Sequence, residues 1–390
     1  MMLVVQKYGG SSLATPKHIQ NAAKRIADLK KSGAGVVVVA SAMGHMTDHL
    51  LKLASKTVAS PQPREVDMLL TAGERISMSL LSMALQELGV PAISFTGSQS
   101  GIITTSDHRD AKIIDIRPNR ILEELNLGKV VIIAGFQGVS EKKEITTLGR
   151  GGSDTTAVAL AAVLKADRCE ILTDVDGLYS ADPRVVPEAR ILTSIDYDSA
   201  LEMASLGAKM QARSIELAKK YNVDVRIAAS RSNNVAGTQI SLSDKPISDA
   251  IEGVKVSGVA TKAGFHLVKV KTSFQNFLSS VKDLSLPLRF VTQTTSEVTF
   301  LCEKEKIATL REVFKSQKMS FAEEENVVAV SVVGEGLAQS NQLFHQVLDF
   351  MRREKVNCLM TVTNSVSATF VVNSQFKESL ANFLHQQVCR

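Results

Sequence analysis

Tryptophan is absent from this chain of 390 residues, and all aromatic residues together make up only 5%. Proteins that bind single-stranded nucleic acid depend on stacking bases against aromatic side chains. The net charge is also small, because the chain has 45 Lys and Arg and 40 Asp and Glu. An excess this small, spread over the whole chain, argues against an electrostatic interface for nucleic acid. We therefore expect no nucleic-acid partner.

Cysteine is rare as well, and its four residues lie far apart, at Cys169, Cys302, Cys358 and Cys389. Without a Cys-x-x-Cys pair, neither a zinc site nor a thioredoxin-type centre is predicted. No apolar run approaches the ~18 to 20 residues that cross a membrane. The apolar stretch at residues 1–5 is shorter than the roughly 7 to 15 residues of a signal-peptide core. These absences predict reduced thiols, a cytoplasmic location and no membrane partner.

Glycine is plentiful but unevenly distributed, since 18 of the 23 residues precede position 250. The first part of the chain is therefore rich in tight turns. There, β-branched runs such as Val36–Ala40 and Val130–Ala134, typical of strands buried on both faces, alternate with helically spaced stretches such as Pro16–Lys31. This alternation predicts an α/β domain over residues 1–245, with a mostly parallel sheet sandwiched by helices.

The last part of the chain contains a repeat. Residues 250–325 and 326–390 each have the order strand–helix–strand–strand–helix, which is that of a ferredoxin-like βαββαβ unit. The first copy closes with a short strand at 320–322, and a new strand at 327–333 opens the second copy, which lacks its own last strand. A spare strand at 254–260 precedes the first copy. We expect this strand to complete the second unit, so that the two units are interleaved.

The first motif that could take part in binding or catalysis is KYGGSS at residues 7–12, directly after the first strand. Two glycines let backbone N–H groups approach phosphate oxygens, and the lysine adds a positive charge. A plain strand-to-helix turn explains this short motif about as well. Neither G-x-x-x-x-G-K-[ST] nor G-x-G-x-x-G occurs in the chain. A P-loop enzyme and a Rossmann dehydrogenase are therefore not predicted.

Two longer motifs follow. TTLGRGGSDTT at residues 146–156 combines three glycines and an arginine with a Ser-Asp pair at a helix start. An arginine in a glycine loop suits a bidentate grip on a carboxylate or phosphate, whereas Asp154 could simply cap the helix. TDVDGLYSADPR at residues 173–184 follows a buried strand, at the edge where open α/β sheets bind ligands. Its Asp-Gly and Asp-Pro dipeptides are also ordinary turn formers.

Together these motifs resemble those of the aspartate kinases in the amino acid kinase family, over nearly the whole chain. Further matching segments are SAMGHMTD at 41–48, TAGERIS at 71–77, GFQG at 135–138 and SLGAKM at 205–210. The repeated tail resembles the paired ACT regulatory domains of the same enzymes. The resemblance implies an amino acid kinase domain followed by two ACT domains. It also implies ATP-dependent phosphorylation of the β-carboxylate of L-aspartate to 4-phospho-L-aspartate, the first step toward lysine, threonine and methionine.

The resemblance further implies roles for individual residues. Lys7 would stabilise the transferring phosphoryl group, and Asp154 would organise the lysine. The residues implied to bind aspartate are Thr47, Glu74, Arg150, Gly151, Gly152 and Ser153. The residues implied to bind ATP are Lys7, Gly9, Gly10, Thr173, Asp174, Tyr179, Asp182, Pro183, Arg184 and Lys209.

These implied roles agree with the chemistry of the reaction. A side-chain carboxylate with a pKa near ~3.9 is already an anion at neutral pH, so no general base is needed. The difficulty is to bring two anions together, which calls for positioning and positive charge. Arg150 would grip the α-carboxylate in a fork, and Glu74 would pair with the α-ammonium. Mg²⁺ would be held mainly through the ATP phosphates, since the sequence shows no cluster of ligand residues with metal spacing.

The regulatory tail departs from the family pattern. Residues 270–276 contain no glycine where relatives carry an effector loop, although Gly334 and Gly336 remain at the matching point of the second unit. An amino-acid effector at the ACT domains is therefore expected to act in an altered way or not at all. Because ACT units usually pair through exposed sheet edges, we expect a homodimer or a larger homo-oligomer.

Two alternatives to an aspartate kinase stay open. One is a kinase of the same fold that acts on glutamate, acetylglutamate or UMP. The other is a non-catalytic amino-acid sensor that has kept the fold.

Overall fold

The computed structural model describes residues 2–208, 210–231, 237–242, 255–282, 284, 288–337 and 341–388. The chain forms two compact units. The first unit consists of Met1–Leu178, Ile191–Ala204 and Lys209–Pro246. The second consists of Tyr179–Arg190, Ser205–Ala208 and Ile247–Arg390. The short segment Tyr179–Arg190 thus packs with the carboxy-terminal part of the chain.

Twelve strands and seven helices precede residue 250 in the described part of the chain. The strands are β1 (Leu3–Tyr8), β2 (Gly35–Ala40), β3 (Ala92–Phe95), β4 (Ile102–Thr104), β5 (Ile113–Ile116), β6 (Val130–Ala134), β7 (Gln137–Ser140), β8 (Ile145–Thr147), β9 (Arg168–Thr173), β10 (Ser194–Asp196), β11 (Val225–Ala229) and β12 (Thr238–Ser241). The helices are α1 (Pro16–Lys31), α2 (Met46–Thr57), α3 (Pro63–Glu87), α4 (Asn119–Asn126), α5 (Gly152–Leu164), α6 (Tyr197–Ser205) and α7 (Ala212–Tyr221).

Eight of these strands form one sheet in the order β10-β12-β11-β9-β1-β2-β6-β3. Every neighbouring pair is parallel except β11 and β12. All residues of β2 and β6 are buried, because strands covered on both faces are apolar throughout. The mostly parallel sheet predicted from the sequence is confirmed.

Helices cover both faces of this sheet. Tyr8 of β1 lies in one apolar core with Ile26 of α1 and Leu81 of α3. The preceding residue, Lys7, contacts Asp154 of α5 instead. Since consecutive side chains of a strand point to opposite faces, α1 and α3 cover one face and α5 covers the other. The carboxyl ends of the parallel strands therefore meet at one edge between these helices.

A second, smaller sheet of the first unit has the order β5-β4-β7-β8. Its strands are only three or four residues long. The sequence did not predict this sheet, because such short segments carry too few residues for a period to stand out. β8 leads directly into the glycine-rich loop that precedes α5.

The second unit is built on a single six-stranded antiparallel sheet with the order β14-β15-β13-β16-β18-β17. Its strands are β13 (Lys255–Lys271), β14 (Arg289–Gln293), β15 (Val298–Glu303), β16 (Ser320–Glu335), β17 (Cys358–Thr363) and β18 (Ser367–Asn373). Its helices are α8 (Phe274–Val281), α9 (Ile307–Ser316), α10 (Asn341–Arg353) and α11 (Lys377–Val388). None of the helices in the described ranges is both long and apolar enough to span a membrane.

The two central strands, β13 and β16, each join two stretches that the sequence analysis treated as separate strands, and β16 continues from the first repeat into the second. The leading half of β13 pairs with residues 327–335 of β16, and its trailing half pairs with residues 320–327. The sequence predicted two separate strands in each of these stretches, and that separation is wrong. Irregular pairing near Gly264 absorbs the interruption without ending the strand, as β-bulges do. Residues 251–254, where the spare strand was predicted to begin, lie outside the described residues.

Candidate active site

Lys7 and Asp154 form an ion pair at the carboxyl edge of the large sheet. The lysine lies near the end of β1 and the aspartate in the first turn of α5, with Nζ 2.6 Å from Oδ1. Their side chains are only 12% and 16% exposed. A Cβ on Gly9 would lie 3.5 Å from the lysine Nζ, so the ammonium group lies beside the first glycine turn. The structure thus brings together the two residues that the resemblance marks as catalytic.

The turn at Gly9 and Gly10 is tied to the neighbouring strand ends. The Gly9 N–H donates to the Leu172 carbonyl over 3.1 Å, and the Gly44 N–H donates to the Gly10 carbonyl over 2.9 Å. A Cβ on Gly10 would lie 2.9 Å from the carbonyl oxygens of both Ala42 and Gly44. This close approach of backbone to backbone requires glycine at position 10.

Glu74 extends from α3 toward the loop that follows β2. It is 3% exposed, and its Oε1 accepts a hydrogen bond of 3.1 Å from the Ala42 N–H. The other oxygen, Oε2, is buried and has no hydrogen-bond partner among the described residues. Burial raises the pKa of Glu74 to about 7. An unpaired buried carboxylate oxygen is costly, so this group is well prepared to receive a cationic donor.

Thr47 lies in the first turn of α2, beside the part of α3 that carries Glu74. It is half-buried. A Cβ on Gly73 would lie 2.8 Å from the Ala42 Cβ and 3.5 Å from Met46 Cγ. Glycine at position 73 therefore lets the start of α2 approach α3 closely.

The glycine-rich loop before α5 owes its shape to residues in the left-handed region. Gly149 has a φ of +77° and Gly151 has a φ of +69°, and a Cβ on Gly151 would lie 2.0 Å from Gln211 Cγ. Both positions therefore favour glycine strongly. Arg150, between them, is exposed. Its guanidinium makes no ion pair or hydrogen bond with the described part of the chain, which leaves it available to an anionic ligand.

Ser153, by contrast, is held close to the strand ends. It is 8% exposed. A Cβ on Gly135, directly after β6, would lie 2.8 Å from Ser153 Oγ and 2.8 Å from Val39 Cγ1. Gly152 is equally constrained, because a Cβ there would lie 2.8 Å from Leu148 Cβ. Gly135 is thus needed to let Ser153 approach β2 and β6, a role that the GFQG motif alone did not reveal.

A positioning residue that the sequence analysis missed is Asp67 of α3. This fully buried carboxylate accepts hydrogen bonds from the Thr147 hydroxyl at 2.6 Å, the Thr147 N–H at 3.1 Å and the Arg109 N–H at 3.1 Å. Its Oδ2 also lies 2.8 Å from Nδ1 of His108. Asp67 therefore fixes the end of β8, from which the glycine loop starts. The available signal was an aspartate seven residues before Glu74, on the same face of one helix.

Thr173 and Asp174 lie at the carboxyl end of β9, next to β1. The Thr173 hydroxyl donates to Asp174 Oδ1 over 3.1 Å, and the Ser230 N–H donates to the Thr173 carbonyl over 2.8 Å. The preceding residue, Leu172, is the one whose carbonyl accepts from the Gly9 N–H. These two predicted nucleotide residues are therefore connected to the first glycine turn through the backbone.

Four of the remaining predicted nucleotide residues lie in a segment of the second unit, Tyr179–Arg190: they are Tyr179, Asp182, Pro183 and Arg184. Arg184 Nε and Nη2 donate to Oδ1 and Oδ2 of Asp182 over 3.0 and 2.7 Å. This fork holds the pKa of Asp182 below its usual range. Tyr179 is half-buried and Pro183 is exposed. Lys209 lies outside the described residues.

One group of potential metal ligands is present in the described ranges, and it lies in the second unit. Donor atoms of His266, Glu323 and Glu325 all fall within 4.8 Å of one another. Both glutamates already pair with Arg311. The edge that carries Lys7 holds no such group among the residues described.

Comparison with known proteins decides the family. The amino acid kinase family profile matches residues 2–229. The chain belongs to the amino acid kinase family. This amino acid kinase is 41% identical to the aspartokinase of Corynebacterium glutamicum, over 99% of this chain and 96% of that protein. It is 45% identical to the aspartokinase of Mycobacterium tuberculosis, over 86% of this chain and 84% of that protein.

A solved structure of the same architecture is that of E. coli aspartokinase III in complex with aspartate and ADP. It matches this amino acid kinase with a TM-score of 0.84 and 23% sequence identity, and the match covers 100% of both chains. At this identity the likeness concerns the fold. The predicted fold class, an amino acid kinase fold combined with ferredoxin-like units of the ACT type, is confirmed.

Proposed function

We propose that this amino acid kinase transfers the γ-phosphoryl group of ATP to the β-carboxylate of L-aspartate and forms 4-phospho-L-aspartate. The observation that carries the proposal is the buried ion pair of Lys7 and Asp154 beside the Gly9 turn. It occurs in a chain that aligns with aspartokinases along nearly its whole length.

Lys7 supplies the positive charge on which the reaction depends. The acceptor carboxylate and the ATP phosphates are both anions, so catalysis consists of positioning and charge stabilisation rather than proton abstraction. Asp154 holds the lysine Nζ in place. The ammonium group can then neutralise negative charge on the phosphoryl group as it is transferred. Mg²⁺ would be held mainly through the phosphate oxygens of the nucleotide, where it would add positive charge.

Two groups of opposite sign recognise the free amino acid. The unpaired Oε2 of Glu74 accepts from the α-ammonium group, and this contact keeps the glutamate ionised despite its burial. The free guanidinium of Arg150 grips the α-carboxylate as a bidentate fork. The backbone and side chains that complete this pocket are those of Thr47, Gly151, Gly152 and Ser153.

The nucleotide is bound through the same edge of the sheet. Gly9 and Gly10 permit close approach of the phosphates, while Thr173 and Asp174 at the end of β9 serve the rest of the nucleotide. The further nucleotide residues in this proposal are Tyr179, Asp182, Pro183, Arg184 and Lys209.

We also propose that the second unit pairs with a second copy of the chain, and that its response to an amino-acid effector is altered or lost, because residues 270–276 contain no glycine. The six-stranded sheet ends in β14 and β17, neither of which has a further strand partner within the described residues. Such edges favour pairing between chains. A cytoplasmic enzyme of amino-acid biosynthesis, in the form of a homodimer or larger assembly, is consistent with this arrangement.

A coupled assay of ADP release, run with aspartate, with glutamate and without an acceptor, tests the proposed reaction. Release that depends on aspartate supports it. ADP release with glutamate but not with aspartate would show that the acceptor is not aspartate. The absence of any acceptor-dependent release, together with measurable aspartate binding, would identify a non-catalytic sensor.

A further inference from the structure

A cavity of about 330 Å³ lies in the first unit, on the side of β1 that faces away from Lys7. Tyr8 and Ser12 line it, together with residues of α1 and the segment that follows β11. Because Lys7 and Tyr8 are consecutive residues of one strand, their side chains point to opposite faces of the sheet. The cavity is therefore separate from the Lys7–Asp154 ion pair and from the pocket proposed for aspartate.

The wall of this cavity carries an excess of positive charge. Lys24, Arg25 and Arg231 line it, against the single carboxylate of Asp28, so three cations face one anion. Arg25 is only 9% exposed, and its Nη1 donates to the Ala229 carbonyl over 2.9 Å. One guanidinium is thus buried and fixed in position, while Lys24 and Arg231 are exposed and can adjust to a ligand.

Neutral hydrogen-bonding groups accompany these cations. Ser12, His18 and Asn21 also line the cavity. Nδ1 of His18 is buried and has no hydrogen-bond partner among the described residues. A buried polar atom in this state is costly. Side-chain hydroxyl, amide and imidazole groups around a fixed guanidinium are a suitable donor set for the oxygens of a carboxylate or phosphate.

We propose that this cavity binds a small organic oxyanion, whose head group is a phosphate or a carboxylate. The volume lies at the lower end of the ~300 to 1,000 Å³ that ligand sites occupy, which fits a metabolite the size of an amino acid rather than a nucleotide. Phosphate and carboxylate share the chemistry that this wall recognises, and the two probes below distinguish them.

Calorimetric titration of the full-length protein with inorganic phosphate, and separately with succinate, tests the proposal. Saturating ADP and aspartate are present throughout, so that the probes do not bind at the substrate positions. The wild-type protein is expected to bind at least one probe. The double variant Lys24→Ala/Arg231→Ala is expected to bind it at least about tenfold more weakly, since each tenfold corresponds to ~1.4 kcal/mol.

Lys31→Ala is the matched control, because it removes one exposed charge from the last turn of the same helix without touching the cavity. Its affinity should stay within about twofold of the wild type. Asn21→Asp places a negative charge at the exposed rim of the cavity and should also abolish binding of the probe. This second variant tests the proposal even if the double variant fails to fold. No binding of either probe by the wild type, or equal binding by wild type and Asn21→Asp, overturns the proposal. Binding is measured without turnover, so the result stands independently of the ADP-release assay.

Discussion

Replacing Glu74 by glutamine should make this protein more stable and a poorer enzyme at the same time. Burial raises the pKa of Glu74 from 4.5 to about 7, so the ionised form is disfavoured in the folded, ligand-free protein. A raised pKa of an acid means that stability is lost as the pH rises from the unfolded value to the folded one. At 1.36 kcal/mol per pH unit, this difference in pKa lowers the stability of the folded protein by about 3 kcal/mol above pH 7. Glutamine has the same shape without the charge and removes this cost.

The same substitution removes the group proposed to receive the α-ammonium of aspartate. Truncating one partner of a buried charge pair typically costs ~2 to 5 kcal/mol, which corresponds to a loss in kcat/KM for aspartate of roughly thirtyfold or more. Because Glu74 must be ionised to bind the ammonium group, kcat/KM of the wild type should fall as the pH drops below about 7. The fall should approach tenfold per pH unit. The Glu74→Gln variant should lack this limb of the profile.

The measurements are thermal unfolding of the ligand-free protein at about pH 8 and pH 5, and kcat/KM for aspartate between these values. Glu87→Gln is a matched control, because Glu87 is an exposed glutamate at the end of the same helix; it should change neither quantity. A Glu74→Gln variant that is less stable at pH 8, or a wild-type profile that is flat through pH 7, would refute the reasoning about this carboxylate.

Three further substitutions test the rest of the site. Lys7→Ala should lower kcat by about three orders of magnitude while circular dichroism shows an intact fold; unchanged turnover removes Lys7 from the mechanism. Gly151→Ala should destabilise the protein by more than Gly33→Ala, measured by urea unfolding. Both positions have positive φ, so both variants carry the ~1 to 2 kcal/mol of that backbone strain. Only the Cβ at 151 would clash, with Gln211, so equal losses of stability at the two positions would contradict the packing. Asp67→Asn should cost ~3 kcal/mol or more of stability, because it disrupts a buried, multiply hydrogen-bonded charge; a loss under ~1 kcal/mol in the same unfolding assay would show that the network around it is dispensable.

The elements that the sequence predicted best are those with a strong period or a continuous apolar run. Pro16–Lys31 was predicted with the bounds that the structure has, and so was Val130–Ala134. The sequence also predicts a helix from Ala208 to Tyr221, which in the structure begins only at Ala212. A separate helix, Tyr197–Ser205, was not predicted. The missed helix has only 9 residues, too few for a helical period to stand out.

The site residues show the same division between local and long-range information. Lys7 and Asp154 were identified from their motifs, but only the family resemblance implied that the two meet, and no local pattern predicts the 2.6 Å contact between them. Asp67 went unrecognised because its partners lie 41 to 80 residues away along the chain. Arg150 was predicted from its glycine loop to grip a carboxylate or phosphate, and the structure places its side chain in an exposed position. Such pairings depend on tertiary packing, which a single sequence does not encode in any local pattern.

The two long strands at the centre of the second unit have a consequence for how this protein can change. Because β13 of the first copy pairs along its length with β16, which continues from the first copy into the second, neither copy has a complete sheet of its own. Deleting either copy would leave part of the remaining sheet without its partner strand. Duplicated modules that are joined by a linker can be lost or exchanged one at a time. These two units share one sheet, so neither can be lost or exchanged without the other. Sequence changes that leave this sheet intact are therefore easiest in the short connections at its ends, such as residues 272–273 between β13 and α8.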